Sequence, residues 1–166
     1  PRERTDLSPE PRTENQGLSV FAFDIEGHGR SPGVRGHFDR FERLVEDLAK
    51  FTHQVETEVG MQPVLLGHSL GGCLAMRAAL RTGAPAVLCS APVVRVKQPY
   101  LVRALVSVLS ELTPHLKVTS LKGGVRDSDP LMFQGGLDAR QVSEIISGAE
   151  ELWTSAESLQ FPLFIG

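Results

Sequence analysis

Cysteine is scarce in this chain of 166 residues, with Cys73 and Cys89 the only two. Two cysteines make no disulfide framework, and no Cys/His spacing suits zinc, so neither a stapled scaffold nor a zinc module is expected. A reducing, cytoplasmic setting fits that usage. An excess of either charge is also lacking. The 17 basic and 20 acidic residues, a formal net charge of -3, are scattered along the chain. Nucleic acid would need a basic block and is not an expected partner. No apolar run approaches the roughly twenty residues that cross a bilayer. Pro92 and Pro99 interrupt the apolar stretch around Val87 to Val96. The N-terminal residues hold no apolar signal-peptide core, and no internal repeat is present. With 41% hydrophobic residues, what remains is one ordinary domain with a sizeable core and no expected cofactor or metal.

Residues 1–17 carry three prolines, seven charged side chains and one large aliphatic residue, Leu7. They bury too little to offset the entropy of ordering and read as a disordered leader. From Leu18 the character changes. Leu18 to Phe23 is a short apolar run that reads as a buried strand, followed by the turn-rich Gly27-His28-Gly29-Arg30-Ser31-Pro32-Gly33. Phe38, Phe41, Leu44, Val45, Leu48, Phe51, Val55 and Val59 recur at helical steps up to Gly60, with Asp39 and Glu42 spaced as a capping box. Pro63 to Gly67 predicts a second strand, Leu70 to Arg81 a helix stopped at Gly83, and Ala86 to Ala91 a third strand. Strand, helix, strand, helix, strand with near-continuous apolar strands predicts an α/β fold, its parallel sheet covered on both faces by crossover helices.

After Pro92 the rhythm changes. Pro99 to Leu112 reads as an apolar-rich helix, Leu116 to Pro130 as irregular, and Ala139 to Ser158 as one or two helices. The next strand signal is Phe161 to Gly166. About seventy residues between two sheet strands greatly exceed the usual crossover of a dozen or so, and the excess has the character of a lid. The expected organisation is a leader at 1–17, a core at 18–92, a cap with its return helix at 93–159, and a further core strand at 160–166.

Gly67-His68-Ser69-Leu70-Gly71 lies between the apolar Pro63-Val64-Leu65-Leu66 and the small-residue stretch Gly72 to Ala79. A serine hydroxyl is a weak nucleophile. A sharp strand-to-helix turn projects it and sets the following N–H groups at a helix N-terminus, where an oxyanion can be received. Ser69 is the expected nucleophile, and side chains at Gly67 or Gly71 are expected to collide with the neighbouring element.

Phe23-Asp24-Ile25-Glu26-Gly27-His28-Gly29-Arg30-Ser31, Gly67-His68-Ser69-Leu70-Gly71-Gly72, Ser90-Ala91-Pro92 and Ser128-Asp129-Pro130-Leu131 together resemble the monoacylglycerol lipase and lysophospholipase branch of the α/β-hydrolase superfamily. The resemblance runs from about Gly17 to Gly166. It implies a partial α/β-hydrolase fold, mostly parallel, with flanking helices and a helical cap insertion shaping an acyl tunnel. It also implies Ser69 as nucleophile, the Leu70 N–H as one oxyanion donor, and a single-chain lipid ester as substrate, hydrolysed through an acyl-enzyme. Family order runs Ser, acid, His, with acid and base after the seventh and eighth strands. The sequence stops at the seventh-strand equivalent. The chain alone is therefore expected to be an internal fragment and hydrolytically silent. A non-catalytic product or interaction module of the same fold is the alternative.

Other residues have blander readings beside the functional one. His68 adjoins Ser69 but is expected to point away from its hydroxyl and to pack or hydrogen-bond inside the sheet. His28 reads as a loop-fixing residue, Cys73 as a small buried one, and Asp127 and Asp129 as turn caps rather than a metal pair. Glu111 and His115, one turn apart, suit a surface pair. Leu101, Leu105, Val106, Leu109 and Leu112 form an apolar stripe, read as cap packing, with an acyl-chain or peripheral membrane contact as the other reading.

Overall fold

The computed structural model describes residues 17–119, 131–133 and 135–166. Residues 1–16 of the expected leader, and Asp127 and Asp129, lie outside the described residues. In chain order the elements are α1 (Phe41–Val59), β1 (Leu65–His68), α2 (Leu70–Thr82), β2 (Val87–Ser90), α3 (Tyr100–Leu112), α4 (Ala139–Thr154), a 3₁₀ turn (Ala156–Ser158) and β3 (Leu163–Ile165). The strands pair in parallel in the order β1-β2-β3, with Leu65 opposite Val87 and Val87 opposite Leu163. The parallel α/β arrangement expected from the sequence is present.

The helices form where the apolar spacing places them. α1 buries Phe41, Leu44, Val45 and Val55 along one stripe, and full burial of such side chains stabilises by about 1.5–3 kcal/mol each. α1 and α2 both end on a left-handed glycine, Gly60 and Gly83, whose N–H bonds the carbonyl of Glu56 or Ala79. α2 lies directly on β1 and β2, and α1 and α4 pack beside it. Leu65, Val87 and Cys89 point into this core with Cys73, Leu74 and Met76.

Four expectations need correction. Leu18 to Phe23 is not a strand; among the described residues no strand lies beyond β1 to pair with it, and Leu18 and Val20 stay exposed. The sheet is not covered on both faces by the described residues. β1 and β2 alternate buried and exposed, so Leu66, Leu88 and Phe164 face outward uncovered. The Asp39/Glu42 capping box does not form. α1 starts after Arg40 without a side-chain cap, because Glu144 of α4 accepts from the Phe41 N–H at 2.9 Å while Glu42 pairs with Arg77 and Arg81 of α2. The capping box belongs to α4 instead: Asp138 accepts from the Gln141 N–H, and the Gln141 side chain accepts from the Asp138 N–H. The fourth correction concerns Glu111, which pairs with Arg140 at 2.9 Å and not with His115.

Candidate active site

β1 delivers the chain to Ser69, and α2 begins at the next residue. Ser69 has φ 52° and ψ -116°, a left-handed conformation that side chains rarely adopt. The surroundings hold it there. Its N–H donates to the Ser90 carbonyl at 2.9 Å, continuing the β1–β2 ladder, while its own carbonyl accepts from Gly72 N–H (3.1 Å) and Val93 N–H (3.0 Å). One residue is thus pinned to the end of β2, to the first turn of α2 and to the segment leaving the sheet.

The steric reason for the glycines is partly as expected. A β-carbon on Gly67 would overlap the Gly71 carbonyl and sit 2.6 Å from the Gly72 nitrogen. Gly71 itself has open space at that position, contrary to expectation; the second crowded site is Gly72, where a β-carbon would lie 2.7 Å from the Pro92 side chain. The turn folds Gly71 past Gly67, so the collision is with Gly71's backbone and not with its α-carbon's outer face. Leu70 occupies the first position of α2, where backbone N–H groups have no intrahelical acceptor.

The histidines stand elsewhere. His28 Nδ1 lies 2.9 Å from the Glu26 carbonyl, consistent with a loop-fixing role. His53 is on the outer face of α1 beside Glu56. His68, expected inside the sheet, is exposed on its uncovered face, because β1 alternates and Gly67 takes the buried place. His37, buried, lies 2.7 Å from Asp138 Oδ2, and the His115 ring meets it edge-on with centroids 4.7 Å apart. That trio was not legible as a unit, since His37 and Asp138 are 101 residues apart. Among the described residues, no acid or base hydrogen-bonds the Ser69 hydroxyl.

Behind the turn, Cys73 is fully buried. Burial pushes its thiol from the ordinary 9.0 up to about 11, with Arg77 opposing and Cys89 adding to the rise. Burial also raises Cys89. Thiolates are the reactive form, so both should resist alkylation at neutral pH in the folded protein. The sign for stability follows from linkage. Between pH 9 and about 11 the folded state holds the Cys73 proton longer than the unfolded chain, so stability falls as pH rises through that window. Denaturant titrations with wild type and Cys73→Ala check this: the variant should lose that part of the slope.

The Gly27 to Ser31 loop is tied to the segment after α3. Arg35 donates to the Gly29 carbonyl (2.6 Å) and to the Leu131 carbonyl (2.7 Å), and Phe133 lies over Gly36. α3 exposes Leu101, Leu105, Val108 and Leu112, with Leu101 at 79% and Leu112 at 75%. Packing of the whole stripe is therefore corrected for Leu101, Leu105 and Leu112: α3 packs against α4, with Arg103 paired with Glu150, and Ser110 is its buried residue. No helix of the described residues is long and apolar enough to cross a membrane.

Comparison with known proteins agrees with the fold. The family described as "Serine aminopeptidase, S33" matches residues 12–166. A monoacylglycerol lipase of Mycolicibacterium smegmatis is 30% identical over 165 residues, which cover 90% of this chain and 59% of that protein. The crystal structure of a Paleococcus ferrophilus monoacylglycerol lipase superposes with a TM-score of 0.67 at 30% identity, covering 90% of this chain and 62% of the other. A soluble variant of monoglyceride lipase from Saccharomyces cerevisiae, solved with a substrate analog, superposes at 0.63 with 20% identity and covers 87% and 57%, a likeness of fold. The chain spans about three-fifths of the length of these relatives.

Proposed function

Since this chain belongs to the serine aminopeptidase S33 family, with the α/β-hydrolase fold and monoacylglycerol lipase-like relatives, we propose that the full-length protein is a serine esterase acting on monoacylglycerols or related single-chain lipid esters. The observation that carries the reading is Ser69, held at φ 52° between β1 and α2. In this reading the Ser69 hydroxyl attacks the ester carbonyl as a base takes its proton, and the alcohol leaves as an acyl-enzyme forms. Water then releases the fatty acid and restores the hydroxyl. The Leu70 N–H, directed by the start of α2, receives the developing oxyanion. Among the described residues no histidine hydrogen-bonds the Ser69 hydroxyl: His28 bonds the Glu26 carbonyl and His37 pairs with Asp138.

Residues 18–92 and 160–166 serve as the hydrolase core in this proposal, and 93–159 as the cap. The apolar side chains that α3 exposes suit a long acyl chain or a peripheral lipid surface better than they suit water. Activity should favour long single acyl chains over short soluble esters. Leu101→Glu with Leu105→Glu in the full-length protein should reduce turnover of long-chain monoacylglycerols by about tenfold, as two apolar contacts with the acyl chain are lost, and leave acetate ester hydrolysis near wild type. A chain-length series measures this; an unchanged profile would place specificity outside α3.

A further inference from the structure

We propose that His37, His115 and Asp138 form a binding site for a divalent transition-metal ion of the zinc class, separate from Ser69. The three residues come from three segments: the approach to α1, the connection after α3, and the N-cap of α4. One ligand atom from each lies within 4.8 Å of the other two. Two imidazoles and one carboxylate suit zinc or a neighbour in its series, and do not suit magnesium or calcium, which take oxygen sets.

The backbone preorganises this cluster. Lys117 and Asp138 form an antiparallel bridge, and the Ala139 N–H donates to the Leu116 carbonyl at 2.9 Å, which carries His115 to the start of α4. Asp138 is buried, and its two oxygens divide their work. Oδ1 accepts from the Gln141 N–H at 3.0 Å as the helix cap, leaving Oδ2 for His37 at 2.7 Å. A buried carboxylate favours a cation beside it. The Lys117 ammonium stands 3.5 Å from Oδ2, on a side chain that is 42% exposed and so able to withdraw. It marks where positive charge is favoured and is the competitor a metal would displace. His115 is exposed, which gives an ion a route from solvent and leaves a coordination position for water. Zinc–nitrogen bonds of about 2.0–2.1 Å put ligand atoms roughly 3.3 Å apart, so the widest pair, now within 4.8 Å, closes in by at most about 1.5 Å while His37 and Asp138, at 2.7 Å, part slightly, within the reach of an exposed histidine's rotamers. Where His37 Nδ1 and Asp138 Oδ2 both ligate, the proton they share leaves to solvent. A bound ion would join the residues before α1 to the start of α4, reinforcing the junction that Arg35 and Leu131 already make.

The test is a zinc titration of the metal-stripped full-length protein, followed by calorimetry and by the thermal unfolding midpoint. Wild type should take up one ion through this site and unfold at higher temperature with zinc present. His115→Ala, at an exposed position that should not disturb folding, should weaken that uptake by about tenfold or more and abolish the thermal shift. Lys117→Met should tighten binding by removing the competing charge. Magnesium should produce no shift. Absence of saturable zinc uptake, or uptake and thermal shift unchanged in His115→Ala, overturns the proposal. His115→Gln, which keeps a polar side chain, serves as the second variant and should behave like His115→Ala.

Discussion

Replacing Ser69 by alanine in the full-length protein is expected to lower ester turnover by roughly 10⁴-fold or more, because the members of a nucleophile, base and acid set act as a unit. The change removes one oxygen. The backbone bonds that define the turn, from Ser69 N–H to Ser90 and from Gly72 and Val93 to the Ser69 carbonyl, do not involve it. Stability should therefore stay within about 1 kcal/mol of wild type, the range for a partly exposed hydroxyl with no lost buried partner. Steady-state kinetics alongside thermal unfolding separate the two effects. Turnover within tenfold of wild type in a folded variant would remove Ser69 from the chemistry.

A second large effect concerns folding. Gly67→Ala would place a β-carbon against the Gly71 carbonyl and 2.6 Å from the Gly72 nitrogen, all backbone atoms that cannot swing aside. The variant should lose about 3 kcal/mol or more, the upper end for overpacking, or fail to fold. Gly71→Ala is the matched control. Open space surrounds that position at the start of α2, and alanine is about 0.8–1.0 kcal/mol more favourable than glycine in a helix. That variant should be as stable as wild type or more so. Denaturant unfolding of both distinguishes a crowded elbow from a general intolerance of side chains in the motif; equal losses at the two positions would contradict the geometry.

The parts of the fold that were legible in the sequence are those whose signals are local. Apolar spacing at three and four residues placed α1, the small-residue run after Ser69 placed α2, and continuous apolar runs placed β1, β2 and β3 within two residues. What failed depends on partners distant in sequence. Leu18 to Phe23 has the composition of a strand, but a strand requires a neighbour to bond, and among the described residues β1 is the last strand on that side. The Asp39/Glu42 spacing fits a capping box, yet Glu42 is drawn to Arg77 and Arg81, and Glu144 takes over the end of α1. Spacing alone suggested the Glu111 and His115 pair, which tertiary contacts with Arg140 and His37 override. Of the site, the turn at Ser69 was readable because its strand, glycines and helix are contiguous. The His37, His115 and Asp138 trio was not, because it is assembled by the packing of α4 against α1 together with the Leu116–Ala139 link that carries His115 to the start of α4.

The most direct measurement is covalent. The full-length protein is treated with a serine-directed alkyl phosphonate, digested, and the adduct located by mass spectrometry. A single phosphonyl group on Ser69, absent from Ser69→Ala and slowed by a competing monoacylglycerol, is the expected result, since such probes require a hydroxyl activated as in turnover. Labelling of a different serine, or undiminished labelling in Ser69→Ala, would contradict the assignment of Ser69 as the nucleophile.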